Sequence, residues 1–337
     1  MVSLGYDNSN EQFCPLSVGN VHKLEEIAIG VGHRSWLKGI EFSHDGRLVA
    51  TASRDYRVGL WDARQNSLNL MGLLEGHNGL VWDVAFTPDD KLLASAGHDG
   101  VIRLWTLSDE PYDFLRLDDH NGAVYSVQFS ADNRLLASTS HDHTVRLRDV
   151  STLNRTGRIK ENIKLNHISH VYNVGFSPNG RWLATASRDS LLRLWEITDD
   201  LREMEAIEPY GLVGHTSYIN SVSFSPNNRF LASASHDKTI RLWDLDNNNE
   251  PIILRGHKDS VVSVIFSPDG SLIATASKDR TVRLWSTDFK EELHQIIKPH
   301  TNSNCLSFSP DSKQLVIGWA DGNISTWGVS VSSNLPA

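Results

Sequence analysis

One spacing recurs seven times in this chain: a histidine is followed 21 or 22 residues later by an aspartate in a predicted turn. In the fifth copy, Gly214-His215 leads to Asp237 and then to Trp243-Asp244. Both series advance by 42 to 48 residues, a period typical of repeat architectures. The histidines are His33, His77, His120, His167, His215, His257 and His300, and the aspartates are Asp55, Asp99, Asp142, Asp189, Asp237, Asp279 and Asp321.

Each repeat contains three short apolar runs that are rich in Val, Ile, Thr and Trp and bounded by turn residues. In the sixth copy they are Val261–Phe266, Leu272–Ser277 and Thr281–Trp285. Such runs indicate β-strands, and no segment keeps the periodicity of an amphipathic helix. A fourth strand is expected between Trp285 and His300. The repeating unit is therefore predicted to be four antiparallel strands, with almost no helix.

Paired Trp-Asp residues at 61–62 and 243–244, together with the seven spacings in one phase, carry a resemblance. The chain resembles the WD-repeat β-propeller family, in particular its bacterial members, over about residues 23–328. The resemblance implies an all-β, seven-bladed propeller of four-stranded antiparallel blades. The last repeat lacks an outer strand, which we expect His22–Ile29 to supply, closing the ring.

This organisation predicts tails at 1–21 and 329–337 around a propeller at 22–328. The predicted repeats are 22–62, 63–106, 107–149, 150–196, 197–244, 245–286 and 287–328.

The resemblance also implies a buried hydrogen-bond network in each blade. The turn aspartate accepts from the histidine, the histidine meets a hydroxyl, and the hydroxyl meets a Trp indole. The expected hydroxyls are Thr51, Ser95, Ser138, Thr185, Ser233 and Thr275, and the aromatics are Trp61, Trp105, Trp195, Trp243, Trp285 and Trp327. These groups resemble a catalytic triad, but a nucleophile must reach its substrate, and hydroxyls inside a sheet do not.

Two repeats depart from the pattern. In the third, Arg148 replaces the Trp and Asp119-His120 replaces Gly-His; in the seventh, Ile317 replaces the hydroxyl. Drift explains these changes, and the alternative is that Arg148 is kept for a contact. The sequence leaves both open.

Composition restricts the function. The net charge is −9, whereas nucleic-acid binding needs a basic footprint. Cys14 and Cys305 are expected to be free thiols, with a bridge between them as the alternative. No apolar run is long enough to span a membrane and no signal peptide precedes the repeats, so we expect a cytoplasmic protein. No glycine-rich phosphate loop is present, and His141-Asp142-His143 lacks further ligands, so neither cofactor nor metal is expected.

Function is then expected where the repeats differ. In the resembling family, the face that carries the b–c loops and the d–a connections is a frequent partner surface. Twenty-one positions map there and include four Lys or Arg, four His, five Trp or Tyr and no acid. The candidate partner-binding residues are Trp36, Lys38, Arg54, Trp82, His98, Tyr125, His141, His170, Tyr172, Arg188, Tyr218, His236 and Lys278.

The sequence therefore favours a non-enzymatic module that binds a protein or peptide of acidic or aromatic character through this top face. A sensor domain of a larger signalling protein is the closest alternative. Nucleic-acid binding and a propeller-based enzyme rank lower. A purely structural interpretation also stands, in which Trp36 and Trp82 only pack at the mouth of the central channel.

Overall fold

The computed structural model describes residues 13–330, except for 65–66, 108–112, 154–158, 160, 248–249 and 289. Seven antiparallel sheets surround a central channel, and the innermost strand of each contacts the innermost strands of both neighbours, so that the ring closes. These innermost strands, called a, are β3 (Leu37–Phe42), β7 (Val81–Phe86), β11 (Val124–Phe129), β15 (Val171–Phe176), β19 (Ile219–Phe224), β23 (Val261–Phe266) and β27 (Ser303–Phe308).

Strands b, c and d of each blade follow outwards in chain order, except that the outer strand of the seventh blade is an N-terminal strand. Strands b are β4 (Leu48–Ser53), β8 (Leu92–Gly97), β12 (Leu135–Ser140), β16 (Trp182–Ser187), β20 (Phe230–Ser235), β24 (Leu272–Ser277) and β28 (Gln314–Trp319). Strands c are β5 (Val58–Asp62), β9 (Ile102–Thr106), β13 (Thr144–Asp149), β17 (Leu192–Glu196), β21 (Ile240–Asp244), β25 (Thr281–Ser286) and β29 (Asn323–Ser330). Strands d are β6 (Asn69–Leu74), β10 (Asp113–Leu117), β14 (Glu161–Asn166), β18 (Tyr210–Leu212), β22 (Ile252–Leu254), β26 (Glu292–Ile297) and β2 (Glu25–Val31).

The hydrophobic core lies between the blades rather than in one centre. Strands b bury both faces, as in Leu272–Ser277, where every residue is buried. One representative cluster joins Val58 and Leu60 of the first blade to Val84, Phe86 and Trp105 of the second. A blade has two apolar faces and cannot cover both alone, and stacking its neighbours around an axis removes both from water.

Turn chemistry keeps the blades in register. The residue after each turn aspartate has a positive φ in all seven blades, for example 73° at Tyr56 and 68° at His143. The most constrained of these positions is Gly322, because a Cβ there would lie 2.7 Å from the carbonyl oxygen of His33. The b–c turns thus have the same backbone shape in every blade, and in five of them the turn aspartate contacts the histidine of the preceding d–a connection.

Ring closure by an N-terminal strand is confirmed. Strand β2 pairs antiparallel with β29 as the outer strand of the seventh blade, although it spans Glu25–Val31 rather than the expected His22–Ile29. Residues 21–23 instead form a 3-10 turn.

The N-terminal segment makes a second contact that the sequence did not predict. Strand β1 (Phe13–Cys14) also pairs with β29, and Leu16 and Val21 are buried in the core between the sixth and seventh blades. Residues 13–21 are therefore part of the folded domain rather than a tail. The last strand also runs to Ser330, two residues beyond the expected end at 328. Residues 1–12 and 331–337 of the predicted tails lie outside the described part of the chain.

Candidate functional site

The buried network of the first blade has the order that the repeat pattern implied. His33 Nδ1 lies 2.9 Å from Asp55 Oδ2, and Nε2 lies 2.8 Å from Thr51 Oγ1, which also accepts the Trp61 indole N–H at 2.9 Å. The carboxylate can only accept, so Nδ1–H donates to Asp55, while Nε2 shares a hydrogen bond with the hydroxyl. The same contacts occur through His77, Asp99, Ser95 and Trp105, through His215, Asp237, Ser233 and Trp243, and through His257, Asp279, Thr275 and Trp285.

Hydrogen bonding keeps the turn aspartates ionised. Burial opposes the charge of Asp55, but donation from His33 and from the backbone amides of Arg34 and Arg57 lowers its pKa to about 2. Thr51 is fully buried, so it cannot act as a nucleophile on an external substrate. These groups serve the architecture of the blade.

The third blade keeps a complete network through a different donor. Arg148 is fully buried, and its Nη1 lies 2.8 Å from Ser138 Oγ, in the place of an indole N–H. Its Nη2 lies 2.6 Å from Asp119 Oδ1. His120 still bridges Ser138 and Asp142, at 2.8 and 2.9 Å. Of the two interpretations of Arg148, the structure favours a retained contact, since its guanidinium takes the place of the indole N–H in the network.

The fourth blade keeps only part of its network. His167 and Trp195 both meet Thr185, but Asp189 binds Arg193, with Oδ2 2.7 Å from Nη2. The Nδ1 atom of His167 is consequently buried without a partner among the described residues. Burial and the neighbouring Arg193 lower the pKa of His167 to about 4, which keeps the ring neutral.

The seventh blade replaces the network altogether. His300 and Asp321 are both solvent-exposed, so they do not form the expected buried pair. The fully buried Trp319 donates its indole N–H to Ser325 Oγ at 2.7 Å, and Trp327 donates to the same oxygen at 2.9 Å. A Trp two residues before the turn aspartate, where the other blades have Ser or Gly, was the sequence signal for this change.

All thirteen candidate partner-binding residues are exposed or partly exposed. A shared backbone feature explains part of this. Each strand a has a register shift at the same place, between Leu37 and Gly39 in the first blade and between Val81 and Asp83 in the second. The skipped residues are Lys38, Trp82, Tyr125, Tyr172, Asn220, Val262 and Asn304. A β-bulge redirects a side chain out of the sheet, and here it turns these residues towards the channel mouth.

The bulges bring large aromatic rings together across the blades. Ring centroids are 5.3 Å apart between Trp82 and Tyr125, 5.3 Å between Tyr125 and Tyr172, and 6.4 Å between Tyr172 and Tyr218. We call these four residues and Trp36 the aromatic arc, which extends over the first five blades. Trp36 and Tyr218 at its two ends are 41% and 37% exposed.

Cations and histidines flank the arc. Arg54 lies 4.9 Å from the Trp36 ring centroid, and Arg188 lies 5.1 Å from that of Tyr218. The His141 and His170 rings stack with centroids 3.8 Å apart. The loop of His170 also carries Ile168, which is 82% exposed and which the repeat pattern gave no reason to single out. Other candidates, His98 and His236, contact Trp82 and Tyr218 respectively, while Lys278 lines the channel.

Below the arc, a cavity of about 960 Å³ runs into the channel. Its polar residues, which sequence analysis missed, join neighbouring blades. Glu41 Oε2 accepts from the Phe86 amide at 2.6 Å, and Asp83 Oδ2 accepts from the Val127 amide at 3.1 Å. Similar links use Gln128, Asn173, Ser221, Ser223 and Ser307. The sequence signal was a polar residue one or three positions before the Phe that ends strand a.

Both channel carboxylates accept hydrogen bonds from the next blade. Burial raises the pKa of Glu41 to about 8 and that of Asp83 to about 6. His141-Asp142-His143 does not form a metal site, since Asp142 is committed to His120. Among the described residues, no group of three or more His, Cys, Asp or Glu side chains could hold a metal ion.

Two other sequence expectations concern the cysteines and membranes. Cys14 and Cys305 are free thiols, and Cys14 Sγ points to the Val329 carbonyl at 3.6 Å. In the described part of the chain, no helix has the length and apolar character needed to cross a bilayer.

Comparison with known proteins places these features in a family. Seven segments match the family model described as WD domain, G-beta repeat: 24–62, 68–106, 114–149, 161–196, 208–244, 249–286 and 291–328. Each runs from the outer strand of one blade to the third strand of the next. A search of curated proteins finds no match. Because the seven segments cover well over half of the chain, it belongs to the WD-repeat family, whose propellers are typically protein-interaction scaffolds.

Proposed function

We propose that this propeller is a non-enzymatic interaction module that binds a protein or peptide through the aromatic arc and its flanking cations. The supporting observation is the run of four aromatic rings in contact at one mouth of the channel, which Lys38 links to a fifth ring, Trp36, with Arg54 and Arg188 stacked on the two ends. Trp, Tyr and Arg are the residues that dominate binding energy at protein interfaces.

Folding does not account for these side chains. The bulge position carries Trp82, Tyr125 and Tyr172 in three blades but Val262 and Asn220 in two others of the same ring. The fold therefore tolerates a small residue there, and a large, partly exposed ring suits contact with a partner. An acidic or aromatic partner fits this face best, because its cations attract carboxylates and its rings stack on other rings.

Part of the opposite face is acidic. Strands alternate in direction, so the c–d connections lie at the other end of each blade from the b–c turns. The connection after the fourth blade's third strand carries exposed Asp199, Asp200 and Glu203. Asp109 and Glu110, in the corresponding connection of the second blade, lie outside the described residues. An acidic partner would then be steered to the arc face.

We further propose that the chain acts in the cytoplasm as a scaffold or sensor part of a larger signalling assembly. This role follows from the repeat sequences, which resemble bacterial members of the family. Rivals of lower rank are nucleic-acid binding and catalysis. The channel carboxylates would be the groups for an enzyme to use, but Glu41 and Asp83 are occupied by backbone amides.

The test is capture of the native partner with purified full-length chain. Trp82→Val copies the residue of the sixth blade, and Arg188→Glu reverses a flanking charge. Together they should leave the melting temperature unchanged and abolish capture, since removing one interface anchor costs about 2 kcal/mol or more. Residual binding should be less sensitive to salt, because the lost attraction is the screened one.

The matched control is Asp199→Lys with Glu203→Lys on the opposite face. Glu205, which lies near Glu203, is not used in this control because its Oε1 accepts the Lys164 amide at 2.9 Å, so that its replacement would also disturb the fold. If the control pair abolishes capture and the arc pair does not, the functional surface lies on the other side of the disc. Retention of wild type on single-stranded nucleic acid that is lost with salt would favour the nucleic-acid rival.

A further inference from the structure

The mouth of the central cavity contains two hydrogen-bond donors that lack an acceptor within the described part of the chain. One is the ammonium group of Lys38, and the other is the buried indole N–H of Trp82. We propose that these two donors bind one carboxylate, from an aspartate or glutamate side chain inside the partner peptide. This inference rests on the proposed function, and it names the chemical group that anchors the partner.

The surroundings of Lys38 favour an incoming anion. Its Nζ lies 5.3 Å from the Trp36 ring centroid and 5.1 Å from that of Trp82, so the ammonium sits between two indoles. Burial, the nearby Arg54 and, to a smaller extent, Lys278 together lower the pKa of Lys38 to about 8. A carboxylate at this point would offset the desolvation and the repulsion among three cations.

The buried arginines of this protein each have an internal carboxylate. Arg148 pairs with Asp119, Arg193 pairs with Asp189, and Arg283 pairs with Glu292. Lys38 is partly buried, and no described carboxylate forms an ion pair with it. Because part of its hydration is lost, a counter-ion from a partner would stabilise this charge. The counter-ion of Lys38 is therefore assigned to another molecule.

Acidic side chains on the same face do not fill this role. Asp259 and Asp321 are exposed on the sixth and seventh blades, but neither lines the cavity. Deeper in the channel, Glu41 and Asp83 are held by amides of the next blade. The mouth thus remains cationic on the side of the first and sixth blades and aromatic on the side of the second to fifth.

The two donor groups suit a carboxylate. The Lys38 ammonium and the Trp82 indole N–H can each donate to one of its two oxygens, whereas a phosphate has a third oxygen and matches the planar, bidentate guanidinium of arginine. The aromatic arc continues on one side of Lys38, whereas Arg54 and Lys278 lie on its other side. A peptide that contacts both the arc and these two cations must therefore cross the mouth. Its carboxylate then comes from a side chain rather than from its C-terminus.

The experiment uses a library of random dodecapeptides displayed with fixed linkers at both ends, selected against the full-length chain. Peptides selected by wild type should share one Asp or Glu position. Changing that residue to Asn or Gln in the synthetic peptide should raise Kd at least about tenfold for wild type, equivalent to about 1.4 kcal/mol. For the Lys38→Met variant, the same change should alter Kd less than about twofold, because the partner charge is gone.

Lys258→Met is the matched control, because Lys258 is an exposed lysine of the same face that does not line the cavity. It should behave like wild type. In wild type, NMR of the lysine side chains should also show the pKa of Lys38 rising when the acidic peptide binds, and not when its amide counterpart binds.

The outcomes separate this inference from the proposed function. Peptides that depend on Trp82 but show no acidic position would leave the function standing and overturn the carboxylate anchor. A binding preference of more than about tenfold for phosphoserine, or for a free C-terminal carboxylate, over the internal acid would overturn the carboxylate anchor in the same way. Peptides that bind independently of both Trp82 and Lys38, or a library without binders, would contradict both proposals.

Discussion

Arg148 and Asp119 form an ion pair inside the third blade, with Nη2 and Oδ1 2.6 Å apart, in the place where the first, second, fifth and sixth blades have Trp and Gly. The two replacements contact each other. A Cβ on Gly32 would lie 2.9 Å from the Trp61 indole, and one on Gly256 would lie 3.1 Å from that of Trp285. In the first and sixth blades the indole packs against the glycine, and Asp119 fits in the third blade because an arginine is there instead.

Replacing either Arg148 or Asp119 alone should destabilise the protein. Arg148→Met leaves Ser138 and Asp119 without their buried donor, and Asp119→Gly leaves a buried guanidinium unpaired; each should cost about 3 kcal/mol. Arg148→Trp combined with Asp119→Gly recreates the arrangement of the first blade and should recover most of that loss. Urea unfolding of the two single variants and the double variant measures the coupling, and purely additive losses would contradict it.

The turn aspartates should differ in their contribution to stability according to their contacts. Asp237→Ala and Asp142→Ala should each lower the free energy of unfolding by about 1–3 kcal/mol, because both networks are complete. Asp321→Ala should cost less than about 0.5 kcal/mol, since this aspartate is exposed. A large loss at Asp321, or a negligible one at Asp142, would show that the network contacts do not govern stability.

Stability should fall as the pH rises, because of the channel carboxylates. Folding raises the pKa of Glu41 to about 8 and that of Asp83 to about 6, whereas both are near 4 in an unfolded chain. Their favourable state is the protonated one, so stability is lost as the pH rises from about 4 through 8.

Glu41→Gln should remove part of this pH dependence. Gln128 Oε1 already accepts the Phe176 amide at the equivalent position of the third blade, so glutamine preserves the link. Thermal unfolding should show the variant melting at least about 2 °C above wild type at pH 8.5, with little difference at pH 5. An equal difference at both pH values would rule out titration as the cause.

Closure should depend on the N-terminal segment. Removal of residues 1–30 deletes β1 and most of β2, uncovers the edge of β29, and removes Leu16 and Val21 from the core. An unpaired edge is a template for aggregation. Light scattering should show association, and the melting temperature should fall. A truncated chain that stays monomeric and equally stable would contradict the closure.

The repeat spacing and the family resemblance that it carries were sufficient to predict the propeller, the number of blades, and the histidine-aspartate pairs of the first, second, third, fifth and sixth blades. These are local properties repeated in one phase, so turn residues and strand lengths report them directly. The exposure of the candidate residues also followed from position, because the turn and bulge recur at the same point of every copy. The repeat pattern did not determine which side chains complete the hydrogen-bond network in the blades whose sequence differs from the other copies.

Tertiary structure alone decided how the differing copies are completed. The sequence shows that Arg148 and Trp319 depart from the repeat. It does not show that Arg148 takes over a network, that Arg193 draws Asp189 away from His167, or that Trp319 replaces a histidine. The links from Glu41 and Asp83 to the next blade join residues about 45 positions apart. Their strands touch only when the two blades pack against each other. Periodicity determines what every blade shares, whereas burial and charge pairing between blades determine what each one does alone.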